Sequence, residues 1–374
     1  MNVAGVPRKV AASALALAAL ALADSAPACG WSWETYAAEA KSLPCVHDTL
    51  VGYFPRHSDA YHRAVIDAVG YATSWAPAFT AGLDAKGLSL MHLGELEKAR
   101  TVMLERLEVA PNAYPSHANL GTLYTFTGEY EKALVHIDRA MALEPKAHFG
   151  REKYHRELVL YLKDAKADPS VRLTRTFLGV SPTAVDRTQG SKARYEKAGF
   201  QDDAIDALVS MIAVYGAEEL ADLYLTLGEL LALRGYPKLA FTAYKRASEL
   251  KHPREKDLGH FRALVLSTIK GPAREPRRRA VPGPDGVEPF DDRPGGHYGI
   301  AEFYAAKRRE SDFMRAEFVR WEEKQIRKGL AVWTQAGIEK IYARMNEVRT
   351  RCPVPSVIEA ERPGGAPDAG AKAP

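Results

Sequence analysis

Cysteine is almost missing from this chain: Cys29, Cys45 and Cys352 are the whole complement in 374 residues. A disulfide-stapled small scaffold is therefore excluded. No C-x-x-C pair exists to build a zinc ribbon or to attach haem, and no H-E-x-x-H is present. Long apolar runs are missing too. The longest uncharged stretch of apolar character is Val10–Ala23, 14 residues, against the roughly 20 that a helix needs to cross a bilayer. Charge of one sign is not in excess, since 51 Lys and Arg stand against 47 Asp and Glu for a net +4. That balance does not mark a nucleic-acid binder. The chain also lacks G-x-S-x-G, a P-loop and G-x-G-x-x-G after a strand, so the common nucleophile and nucleotide motifs are out.

What is present begins with an address. Arg8 and Lys9 precede the apolar run, Asp24 stops it, and small residues follow at Ala21, Ala23 and Ala28. This is the layout of a secretory signal, expected over 1–28, with cleavage after Ala23 or Ala28. Cleavage after Ala28 would leave Cys29 first, which resembles a bacterial lipoprotein whose N-terminal cysteine is acylated. The expected location is the periplasm or the cell envelope, either freely exported or anchored by lipid. In an oxidising compartment the three cysteines allow Cys29–Cys45 or, with Cys29 lipidated, Cys45–Cys352. Both pairings stay open.

A repeat follows. Residues 93–111 (LGELEKARTVMLERLEVAP) and 127–145 (TGEYEKALVHIDRAMALEP) align at an offset of 34 residues, with Gly94 and Gly128, Glu97 and Glu131, Lys98 and Lys132, Ala99 and Ala133, and Pro111 and Pro145 in register. A third copy at 221–254 carries Gly228, Gly235, Ala240, Tyr244 and Ala247. Small residues such as Gly121 and Ala133 suit a close approach of paired helices. Tyr124, Ile137 and Tyr244 are expected to fill the space between successive pairs. Glycines after each first helix suit a left-handed cap.

This pattern resembles the tetratricopeptide repeat (TPR), an antiparallel helix pair of 34 residues, in exported bacterial form. The second copy, 114–147, carries Leu120, Gly121, Tyr124, Ala133, Ala140 and Pro145 at signature positions, and the third carries Tyr224, Leu227, Gly228, Ala240 and Ala247. In the first copy, 80–113, Lys86 stands where leucine is usual and Arg106 where alanine is usual. The resemblance implies an all-α fold: a TPR-like helix-turn-helix solenoid with additional capping helices and a long C-terminal helical segment.

The expected organisation is an N-terminal helical block over 29–166, a linker over 167–200 and a second helical block over 201–271. A Pro/Gly-rich loop (272–297), a C-terminal helical segment (298–352) and a tail (353–374) follow. Residues 59–72 and 152–164 show one-sided helical stripes and read as neighbours of the repeats. The aromatics Phe303, Phe313, Phe318, Trp321 and Trp333 are expected to pack the C-terminal segment onto the array.

Chemistry is thinly represented. Cys45, His47, Asp48, His57 and His62 match no metal-ligand spacing, and His57 and His62 are read as capping or surface histidines. Glu322 and Glu323 are adjacent on a helix and point apart, so they are no acid/base pair. No catalytic residue, metal or cofactor is expected. The resemblance implies a concave face built from first helices, on which a peptide segment or partner protein lies. Its residues would be Asp84 and Leu88 in the first copy, Ala118, Asn119, Thr122, Thr125 and Phe126 in the second, and Asp222, Leu225 and Glu229 in the third. The expected function is an exported scaffold or assembly factor. The alternatives are a metal-binding protein or enzyme of unrecognised class, or a self-assembling structural lipoprotein.

Overall fold

A computed structural model describes residues 46–75, 80, 82–145, 151–179, 203–213, 216–234, 236–267 and 300–349. The export segment 1–28, Cys29, Cys45, Cys352, linker residues 180–200, the loop 272–297 and the tail 353–374 lie outside the described residues. Among the described residues all regular structure is helical. The helices are α1 (Val46–Val51), α2 (Asp59–Trp75), α3 (Gly82–His92), α4 (Leu96–Val109), α5 (Tyr114–Thr127), α6 (Tyr130–Leu143) and α7 (Arg151–Ala167). Then come α8 (Val171–Thr174), α9 (Asp203–Ala213), α10 (Ala221–Leu233), α11 (Pro237–Glu249), α12 (Glu255–Ser267), α13 (Ile300–Arg327) and α14 (Gln335–Arg349).

The chain groups into two compact units, and the grouping is discontinuous in sequence. One holds the described residues of 54–167 and 313–349; the other holds those of 46–53 and 168–312. The dividing line falls within α13. Residues 168–179, read from the sequence as part of a linker, group with the second unit.

Local signals set the helix ends. The Ser58 hydroxyl accepts the Tyr61 N–H (3.2 Å) and so caps the start of α2. Proline stands in the first turn of α5 and of α11, where no intrahelical donor is lost. Gly94 and Gly128 close α3 and α5 with φ of 75° and 72°. Beyond them the Glu95 N–H reaches the Leu90 carbonyl and the Glu129 N–H the Tyr124 carbonyl, both at 2.9 Å, which satisfies carbonyls the helix end would orphan. The Tyr236 N–H makes the same bond to the Leu231 carbonyl.

Each pair is held close by one glycine on its first helix. A Cβ at Gly87 would lie 2.8 Å from Met103 Cγ, one at Gly121 2.7 Å from Ile137 Cγ1, and one at Gly228 2.6 Å from Tyr244 Cε1. In all three copies the partner is the residue 16 positions on. Ile137 and Tyr244 therefore reach into the pair itself, and Tyr244 also meets Phe261 of the following helix α12 at 5.6 Å, in the space between successive elements that was expected for it. The physical reason is that removing the side chain from one helix makes a slot its own partner can enter.

Stacking buries what a single pair cannot. In the first unit, Leu90 of α3, Met103 of α4, Leu120 and Tyr124 of α5, Ile137 of α6 and Val159 of α7 share one core. A second core seals the other side of α2: Tyr61, Val65 and Val69 pack with Phe318 of α13, Val332, and Ile338, Ile341 and Met345 of α14. Trp321 and Trp333 lie against this cluster, as the packing expectation required, while Phe313 stays 66% exposed. In the second unit α10 packs on α11, α11 on α12, and α1 on α9 and α11.

Candidate partner-binding surface

The residues assigned from the family pattern to a concave face divide sharply by burial. In the first unit Ala118 and Asn119 of α5 are fully enclosed, and Asp84 of α3 is buried. Asp84 Oδ1 accepts the Ser116 hydroxyl of α5 (2.6 Å), while Arg106 Nε of α4 donates to Oδ2 (3.4 Å). Burial raises the Asp84 pKa to about 6, against the Ser116 hydrogen bond and the Arg106 charge. Asp84 thus ties one repeat to the next from inside. The Thr122 hydroxyl turns back to the Ala118 carbonyl (3.1 Å), and Thr125 donates to the Gly121 carbonyl (2.7 Å) with His155 Nε2 at 3.2 Å. Leu88, Thr122 and Thr125 are half-buried. Phe126, at the end of α5, is 54% exposed.

In the second unit Asp222, Leu225 and Glu229 of α10 are all buried. Asp222 takes a forked contact from Arg172, with Nε 3.1 Å from Oδ1 and Nη2 on Oδ2. His252 Nε2 lies 3.2 Å from Oδ1. The His252 Nδ1 accepts the Arg254 N–H (3.1 Å), so Nε2 carries the proton and donates to Asp222. Burial alone would raise the Asp222 pKa, but the hydrogen bonds from His252 and Arg172 outweigh it and hold the group at about 2. Burial pushes the Glu229 pKa well up, with the Arg254 charge acting in the opposite direction, and neither carboxyl oxygen finds a hydrogen-bond partner among the described residues.

The expected face is therefore not an open surface at Asp84, Ala118, Asn119, Asp222, Leu225 or Glu229 in this arrangement. Asp84 is used internally by Ser116 and Arg106 of the repeats, and Asp222 by Arg172 and His252. Phe126, with the edges of Leu88, Thr122 and Thr125, is the accessible remainder.

Sequence reasoning passed over one surface of the first copy. There, α2, α3 and α4 border an open groove of about 490 Å³ with Ile66, Leu90 and Val102 among its apolar walls and Arg63, Asp67 and Lys86 among its charged ones. A signal was available, since Lys86 and Arg106 are the two positions where the first copy departs from the family pattern. Lys86 lines the groove, and Arg106 reaches Asp84 and, through Nη1, the Thr80 hydroxyl (3.0 Å).

A second cluster corrects the reading of His57 and His62 as capping or surface side chains. Their rings meet edge to face at 6.1 Å, and His62 stacks on His92 at 4.5 Å. His57 Nδ1 lies 2.6 Å from Oε1 of fully buried Glu322, whose Oε2 accepts both the N–H and the hydroxyl of Ser58 at 2.7 Å. Burial lowers the His62 pKa to about 2, with His92 and His57 adding to the effect. Residues far apart in sequence meet here because α13 returns to α2. Among the described residues no group of three His, Cys, Asp or Glu side chains is placed to hold a metal ion. No described helix is long and apolar enough to cross a membrane.

The comparison with known families falls on the second copy: residues 114–146 match the family model described as tetratricopeptide repeat. These are α5 and α6, the pair closed by Gly121 against Ile137. The α5–α6 pair is thus similar to a tetratricopeptide repeat, as the family pattern implied. No curated protein matches it. A tetratricopeptide repeat suggests a protein-protein interaction scaffold.

Proposed function

We propose that this repeat protein is an exported scaffold or assembly factor that binds a peptide segment or another cell-envelope protein. The observation that carries the binding reading is the large exposed Phe126 on the first helix of the family-matched pair, beside half-buried Thr122 and Thr125. An exposed aromatic next to hydroxyls is the mixed contact an extended segment uses, with apolar anchoring and polar orientation. The export reading rests on Arg8, Lys9 and the apolar run that follows. Cys29 as a lipid anchor would place the scaffold on a membrane; without it the protein works in the periplasm. Binding rather than catalysis is the work assigned.

The test is capture from a cell-envelope extract by the full chain and by its Phe126→Ala variant, after circular dichroism shows equal helicity. Asn119 is left intact because it is fully enclosed. A protein retained by the native chain and lost by the variant supports the α5 face. Equal retention by both would remove that face from the reading.

A further inference from the structure

We propose that the open groove bordered by α2, α3 and α4 docks a segment of a partner protein that carries a carboxylate beside a branched aliphatic side chain, with Lys86 as the cation that receives the carboxylate. This rests on the partner-binding reading above but uses another surface. Lys98, Thr101 and Val102 on the groove wall belong to α4, the second helix of its pair, whereas Phe126 stands on a first helix.

The lysine occupies what is a core position elsewhere in the chain. Lys86 corresponds to Leu120 in the second copy and to Leu227 in the third, and both leucines are fully enclosed. Lys86 is half-buried and lines open space instead. A lysine cannot close an apolar contact as leucine does, because its stem packs while its ammonium keeps its water. The fold by itself favours leucine there. A residue that breaks the pattern of its own repeats at a cost in stability marks a place where function has overridden packing.

The surrounding charges leave Lys86 over. Lys98 pairs with Glu95, and Arg63 pairs with Asp59. Lys86 makes no ion pair or hydrogen bond among the described residues, and exposed Asp67 on the α2 wall does not pair with it. The groove therefore holds one uncommitted cation, half-buried beside the apolar side chains of Ile66, Leu90, Leu93 and Val102. A charge in partly dry surroundings attracts its counter-charge more strongly than one in bulk water. Lys86 thus selects a carboxylate, and the aliphatic walls select what stands next to it. Asp67 and Glu95, also on the walls, repel a polyanion such as nucleic acid. An open groove buries too little of a small molecule to hold it. A chain segment adds contacts along its length and fits such a groove.

Two measurements decide it. The first is the thermal midpoint of the full chain carrying Lys86→Leu, which restores the residue of the other copies. The midpoint is expected to rise by about 2–4 °C. A midpoint that stays or falls shows that the lysine costs the fold nothing, and overturns the proposal. The second is selection from a phage-displayed random-peptide library on the full wild-type chain. The selected peptides are synthesised and measured against wild type, Lys86→Gln, which removes the charge without filling the groove, and Phe126→Ala. Supporting peptides carry Asp or Glu next to Leu, Ile or Val, and bind wild type about tenfold or more tighter than Lys86→Gln. They also keep their affinity for Phe126→Ala and lose it when their own acid is replaced by its amide. Peptides without an acid, peptides that bind Lys86→Gln equally, or a library that yields no binder overturn the proposal. Peptides lost on Phe126→Ala but kept on Lys86→Gln uphold the α5 face while the groove falls, so the two readings fail separately.

Discussion

Ile137 occupies the place of the side chain that Gly121 does not have. A methyl there would stand 2.7 Å from Ile137 Cγ1, an atom close to the backbone that cannot swing aside. Gly121→Ala is expected to destabilise the first unit by about 1–2 kcal/mol, since overpacking outweighs alanine's higher helix propensity. Gly70, inside α2, has nothing within 4 Å of its would-be Cβ. There the propensity term acts alone, and Gly70→Ala is expected to stabilise by about 0.5–1 kcal/mol. Chemical denaturation of both variants checks the pair; a stabilised Gly121→Ala would refute the close-approach account.

The first unit is expected to lose stability as the pH falls below about 6.5. Burial holds His62 at about 2 and His136 at about 4, and lowers His117, whose Nδ1 lies 3.0 Å from that of His136. Below the unfolded histidine pKa the unfolded chain takes up protons that the folded chain refuses, so unfolding gains on acidification. Each strongly shifted histidine contributes about 1.4 kcal/mol of loss per pH unit in that window, offset in part below about pH 6 by Asp84, whose raised pKa makes the folded chain take up a proton first. Thermal melts from pH 7.5 to 5.5 should show a falling midpoint, and His62→Phe should shallow the slope.

Asp222 sets a separate acid limb in the second unit. Its folded pKa of about 2 lies below the unfolded value of 3.8, so the stability it contributes is present above pH 3.8 and lost as the pH falls toward 2. The size is about 2 kcal/mol. Asp222→Asn should remove this acid limb while leaving the decline below pH 6.5, which belongs to the first unit. Comparing acid-induced unfolding curves of the two proteins separates the contributions.

Glu322→Ala is expected to cost about 3 kcal/mol, because it strands the Ser58 N–H, the Ser58 hydroxyl and the His57 ring without their buried acceptor. Glu322→Gln keeps part of the acceptor capacity and should cost less. Hydrogen exchange should show α14 and the second half of α13 loosening from α2 before the repeat helices do. Loosening of α5 and α6 first would contradict the role of Glu322 as the clasp between α13 and the start of α2.

The repeat helices were legible because their signals are local. The 34-residue offset, the glycines 94 and 128 that take positive φ, and the prolines that open or follow helices act through their own backbone and near neighbours. The candidate site was legible only in part. Phe126 could be assigned to a face from its place in the copy, yet Asn119, four positions from Leu123 on the same helix, could not be known to be enclosed. Burial depends on what lies over a residue, and for Asp84 one of the groups that meet it, Ser116, comes from the next repeat. Lys86 and Arg106 showed as departures from pattern, which marked them without revealing the groove or the Asp84 contact they serve.

The amino-acid sequence by itself determined that this protein is built of paired helices, where three of the pairs begin and turn, and that small residues let paired helices approach closely. Periodicity and capping are properties of neighbouring residues, so they can be read along the chain. Tertiary structure alone decided that α13 and α14 seal α2, that Glu322 meets His57 and Ser58 across 264 and more positions, and that Arg172 covers Asp222. These outcomes depend on the relative free energies of burying one surface against another. No local pattern encodes that comparison; it is settled only when the distant segments meet.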